Sequence, residues 1–150
     1  MESIREYKTA SILTPVYVTV EVIMEVLIPF VMASLIDKGI EAGSMSVIWK
    51  YGIILLVLAM IALAFGSMAG HQASIASCGL AQNLRKDMYY RIQNFSFSNI
   101  DKFSTASIVT RLTTDVTNVQ NAYQMLIRVA VRAPIMMIFA MIMSFTINVK

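Results

Sequence analysis

Two carboxylates sit inside the first long apolar run of this chain. Glu21 and Glu25 are four residues apart, so on a helix they share one face. A carboxylate at the centre of a membrane-spanning helix costs at least ~2.5 kcal/mol on insertion scales. That face must therefore look into protein or a wet cavity rather than at lipid. The readings that follow are that the pair contacts a substrate or cation, that it hydrogen-bonds neighbouring helices, or that an outer-end Glu reaches water. A second charged pair, Arg111 and Asp115, has the same spacing further along and can close an ion pair on a helix, either an exposed pair worth ~0.5 kcal/mol or one that steadies the adjacent loop.

Other chemistries find no residues. None of the six glycines precedes a lysine, so a Gly-x-x-x-x-Gly-Lys phosphate loop is absent and nucleotide is not expected to bind this chain. One cysteine, Cys78, excludes an internal disulfide, and it and the single histidine, His71, read as packing residues. No cluster has metal-ligand spacing. Gly66 and Gly70 form a Gly-x-x-x-Gly pattern suited to close helix contact.

The elements that carry these residues are membrane spans. The chain is 57% hydrophobic and 14% charged with mean hydropathy +0.68, against about 25% charged in soluble domains. Residues 1–10 read as an amphipathic lead-in on the membrane surface. Apolar stretches at about 11–36, 47–70 and 133–149 are each long enough for a core of ~30 Å. A loop is expected from Asp37 to Ser44. The second span runs on as an amphipathic pattern to Phe95, a helix of about 50 residues and ~75 Å. Polar residues Ser96, Ser98, Asn99, Ser104, Thr105 and Ser107 then break the periodicity. It resumes near Thr105 with Ile108, Leu112, Val116, Val119, Tyr123 and Leu126, and Pro134 is expected to kink the helix at the membrane boundary.

Most Lys and Arg lie between the second and third spans, which places residues 71–132 and the amino terminus in the cytoplasm and the carboxyl terminus outside. Arg128 and Arg132 suit anchoring at the inner headgroups. The fold class is thus all-α: an integral membrane chain of three transmembrane helices, the second and third extended into the cytoplasm and joined by a short helix.

The stretch from Asp101 to Val116 resembles the first cytoplasmic loop of type I ATP-binding cassette (ABC) exporters. That family usually reads Phe-Asp, a few polar residues, Gly, then Ser-Arg-Leu and Asp-Val. Here Ile100 stands where Phe is usual and Ala106 where Gly is usual. The stretches Glu25 to Pro29 and Ile36 to Ile40 also resemble the end of the family's first span. The resemblance implies the first three spans of a six-span exporter domain of multidrug or lipid type. It implies a helix over Asn99, Ile100, Asp101, Lys102 and Phe103 that docks on a nucleotide-binding domain, steadied by Arg111 and Asp115. That domain, with its Mg-ATP, would belong to a partner or to chain beyond Lys150, making this an amino-terminal fragment or truncated product, not an enzyme by itself. The whole would be a homo- or heterodimeric ATPase translocase of the plasma membrane, in bacteria the inner membrane, in contact with lipid and not with nucleic acid. The competing expectations are a small non-catalytic membrane subunit and an ion-coupled carrier using Glu21 and Glu25.

Overall fold

The computed structural model describes residues 2–94 and 105–147. A 3₁₀ helix, Glu2–Tyr7, leads into α1, Lys8–Leu35. The helix α2 is Met45–Gln93; α3, Thr105–Thr110, passes through a π-helical turn, Arg111–Asp115, into α4, Val116–Ile147. No strand occurs among the described residues. Three of the helical stretches are long and apolar enough to cross a membrane.

The continuous α2 has 49 residues, roughly 74 Å, because no proline interrupts it and apolar residues recur at helical spacing throughout. The proline-bearing helices survive as well: α1 holds Pro15 and Pro29, and α4 holds Pro134. Threonine hydroxyls bind back to carbonyls one turn earlier, among them Thr14 to Ala10 and Thr19 to Pro15.

The first turn differs from expectation. Asp37, Lys38 and Gly39 do not begin a loop; α1 continues through a π-helical turn, Ile36–Ile40, with the Glu41 amide donating to the Ile36 carbonyl at 3.0 Å. The reversal falls at Gly43, where φ is +62°, a region open to glycine and strained for residues with a side chain. Gly39 instead serves packing: a Cβ there would lie 3.0 Å from Ile48 Cγ1.

The helices α1 and α2 then run antiparallel in a register visible along their length. Gly39 faces Ile48, Glu21 faces Gly66, and Tyr7 lies on Gly79, while Val18 and Val22 are fully buried with Ala69. The α2 face that makes this possible is small: Gly66, Ala69, Ala73, Ala76 and Ser77 recur at three and four, and the last four of these are fully buried. Small residues let helix backbones approach closely, which in a membrane replaces the hydrophobic drive that lipid cannot supply. Gly66 of the Gly-x-x-x-Gly pattern admits a carboxylate in this interface.

The helix α4 packs against both, parallel to α1. The Tyr123 hydroxyl donates to Ser11 Oγ at 2.9 Å, and Ala10, Ala73, Ala76 and Ile127 form one buried cluster. The lead-in packs on protein: the Tyr7 ring occupies the space where Gly79 lacks a side chain, and a Cβ there would overlap the ring. Cys78 is exposed, not packed, and receives a hydrogen bond from Gln120 Nε2 at 3.3 Å. His71 is exposed beside Tyr17, Ser67 and Gln72.

Candidate coupling site and interhelix charge cluster

The two carboxylates of α1 converge on one guanidinium. Arg132 of α4 donates through Nη1 to Glu21 Oε1 at 3.0 Å, and through Nη2 to Glu25 at 2.8 and 2.7 Å. The spacing of four on α1 makes this geometry: a parallel helix at the right height presents one arginine to both turns. Arg132 is therefore an interhelix clamp rather than a headgroup anchor. Glu21 is the buried member, its side chain 9% exposed against 29% for Glu25 and 34% for Arg132. Burial of one carboxylate is eased because a charge-assisted hydrogen bond reaches one of its oxygens, Oε1, and because Gly66 leaves room: a Cβ there would stand 2.8 Å from Glu21 Oε1.

Beyond the cluster, α1 and α4 enclose an apolar cleft of about 560 Å³. Glu25 and Asp37 stand among its lining residues, and Pro29, Phe30, Met136 and Met143 supply apolar wall. Glu25 is thus shared between the clamp and the cleft. A smaller cavity of about 470 Å³ on the α2 side contains Glu21, Glu25, Gly66, Ser67 and Arg128.

At the other end, α2 and the α3–α4 segment run alongside one another beyond their apolar stretches. Ser77 Oγ approaches Gln124 Oε1 at 3.5 Å. Arg85 of α2 donates from Nε to the Leu112 carbonyl at 3.3 Å and from Nη2 to Thr117 Oγ1 at 3.2 Å. Leu112 lies within the π-helical turn, where the widened helix disturbs the regular ladder, so the arginine straps one arm to the irregular point of the other. Arg111 and Asp115 are the first and last residues of that turn, both exposed. Sequence spacing assigned them to an ordinary helix and gave no sign of the extra residue. Asn99, Ile100, Asp101, Lys102 and Phe103 lie outside the described residues; what the structure provides is the pair of arms that lead to them, ending at Gln93 and beginning at Thr105.

Comparison with known proteins decides what these arms and spans belong to. The model of the ABC transporter transmembrane region matches residues 12–150. The chain belongs to this family. Its curated relatives include an uncharacterized ABC transporter ATP-binding protein of Bacillus subtilis (strain 168), 35% identical over 130 residues, covering 87% of this chain and 23% of the relative. Another, from Mycobacterium tuberculosis (strain H37Rv), is 27% identical over 143 residues, 95% of this chain and 25% of the relative. A putative ABC transporter ATP-binding protein of Mycoplasma genitalium is 23% identical over 167 residues, 94% of this chain and 27% of the relative. The chain spans about a quarter of the length of the relatives it matches. It is a multi-pass membrane chain of the ABC transmembrane region, not an ATP-binding domain.

Proposed function

We propose that this chain forms the first three spans of an ATP-driven exporter and carries motion from a nucleotide-binding domain to the substrate pathway. The observation that carries the reading is the pair of adjacent arms. The 49-residue α2 and the α3–α4 segment pass beyond their spans side by side, cross-linked at Arg85, toward the polar stretch that includes Asn99 to Phe103. A lone amphipathic arm frays; two packed arms transmit displacement.

The helix register supports one pair of bilayer boundaries. Placing the inner one near Tyr17, Gly70 and Arg128 and the outer one about 20 residues on, near Ile36 and Tyr51, fits a core of ~30 Å. Trp49 and Tyr51 then fall at the outer interface, where such rings are favoured. On this reading the first span starts nearer Tyr17 than Ser11, because Ser11 stands beside Tyr123, five residues before Arg128. The arms extend roughly 35 Å from Gly70 to Gln93. The abundance of Arg and Lys in residues 71–132 makes the arm side cytoplasmic, in the plasma membrane of a bacterium such as those of the relatives.

Mg-ATP would be bound by the nucleotide-binding domain, since this chain has no phosphate loop. The domain's closure would push on Asn99 to Phe103, with Arg111 and Asp115 steadying the loop. The remaining spans and a second such half, identical or not, complete the transporter. The apolar cleft beside Glu25 favours a hydrophobic or amphipathic substrate, of the multidrug or lipid kind. An ion-coupled carrier is less well supported, because Arg132 already engages both Glu21 and Glu25.

Asp101→Ala and Phe103→Ala test this in the full-length protein reconstituted in lipid. Both are expected to lower substrate-stimulated ATPase while the protein still inserts. Wild-type stimulation in both variants overturns the docking role.

A further inference from the structure

The charge cluster contains one more member than the observed pairing uses. Arg132 binds Glu25 with two hydrogen bonds and Glu21 with one. Glu21 Oε2 is buried and accepts no hydrogen bond among the described residues. Arg128 lies one turn before Arg132 on α4, and among the described residues it makes no ion pair.

Its place relative to Glu21 is set by two independent features. Arg128 is separated from Glu21 by 107 residues, the same separation that gives Arg132 its two-bond contact with Glu25. On parallel helices this means that the two carboxylates and the two guanidiniums have matching rungs. The second feature is on α2. A Cβ at Gly66 would meet the Glu21 carboxylate, and a Cβ at Gly70 would lie 3.7 Å from Arg128 Nη1. Those glycines are one turn apart, a rise of about 6 Å. Carboxylate and guanidinium thus rest over successive turns of one bare strip of α2, lining the same cavity.

We propose that Arg128 is the second partner of Glu21, so that α1 and α4 are joined by a charge ladder with two pairings. In the observed pairing Arg132 holds both carboxylates. In the other, Arg132 keeps Glu25 and Arg128 takes Glu21. Handing Glu21 between the two arginines lets the first and third spans shift against each other without leaving the buried carboxylate bare, a state that costs several kcal/mol in an apolar setting. The hand-over as a transport step rests on the exporter reading; the pairing itself does not. Arg128 is on this account a positioning residue.

The test is a stability cycle on the full-length protein in lipid, with transport measured alongside. In an otherwise wild-type background, Arg128→Gln is expected to leave the melting temperature unchanged, since the observed pairing does not use it. In an Arg132→Gln background the same change should lower it by a further step of roughly 1–2 °C, because Arg128 is then the remaining cation for Glu21. Adding Glu21→Gln should abolish that step, and Arg128→Lys should preserve most of the stability. Equal effects of Arg128→Gln in both backgrounds overturn the pairing. In transport, Arg128→Gln should slow ATP-driven turnover roughly tenfold, the equivalent of one charge-assisted hydrogen bond, with melting unchanged. Wild-type turnover alongside a positive cycle overturns the hand-over. Absence of ATP-driven transport in the wild type counts against the exporter reading alone, and the melting cycle still decides the pairing.

Discussion

Removing the clamp arginine should be far more damaging than removing a surface charge. Arg132→Met keeps an unbranched apolar stem, two atoms shorter, and deletes three hydrogen bonds to two carboxylates. Breaking a buried ion pair by deleting one partner costs ~3–5 kcal/mol, mostly from the charge left behind. Here the exposures differ: Glu25 at 29% can recruit water, whereas Glu21 at 9% cannot without moving. With Glu25 and Arg132 both partly exposed, the expected loss falls at or just below that range, about 2–3 kcal/mol, close to the insertion cost of one acidic residue in a spanning helix. In a full-length protein about four times this length, with about 2.1 cal/mol/K of unfolding entropy per residue, it should appear as a fall of roughly 2–3 °C in thermal unfolding in lipid. The decisive arm is rescue. Replacing both acids in the same protein, as Glu21→Gln and Glu25→Gln with Arg132→Met, removes the stranded charges and should recover most of the loss. A melting temperature unmoved by Arg132→Met, or a loss that the two glutamines fail to repair, would refute the clamp.

Two further outcomes follow from the packing. Gly79→Ala places a methyl where the Tyr7 ring lies, so it should destabilise by about 1–3 kcal/mol through overpacking and free the 3₁₀ lead-in to proteolysis; trimming the ring with Tyr7→Ala should relieve the overlap, and an unchanged cleavage pattern in Gly79→Ala alone would contradict the contact. Arg85→Ala removes the strap from α2 to the π-helical turn, and the spread of distances between spin labels at Tyr89 and Val109, both exposed, should widen; an unaltered distribution would show that the strap does not hold the arms.

Some of this architecture is legible in the residue order and some is not. The three spans are legible because apolar length is a local property, and α2 was readable as one rod because helical spacing persists past the apolar run with no proline to stop it. The resumption at Thr105 follows from the same periodicity. Glu21 and Glu25 announce an inward face by the cost of exposing them to lipid. Their partner is not announced: Arg132 lies over a hundred residues away, and its height against α1 depends on how both helices pack on the small strip of α2. That strip was visible only in part, as Gly66 and Gly70, though Ala69, Ala73, Ala76 and Ser77 continue it. The π-helical turns at Ile36–Ile40 and Arg111–Asp115 leave no mark in composition, since one extra residue in a helix changes spacing and not residue type. Gly39 lies in the expected loop for a related reason: glycine serves close packing against Ile48 as readily as it serves a turn, and only backbone geometry at Gly43 separates the two uses.

The central claim is that two packed arms present Asn99 to Phe103 to a nucleotide-binding domain on the cytoplasmic side. It is tested most directly by thiol labelling of Asp101→Cys in a Cys78→Ser background of the full-length protein, in sealed membranes of known sidedness. The account predicts labelling by a membrane-impermeant reagent from the cytoplasmic face, and protection when the nucleotide-binding domain is in place. Labelling from the outer face, or a cytoplasmic thiol indifferent to that domain, would contradict it.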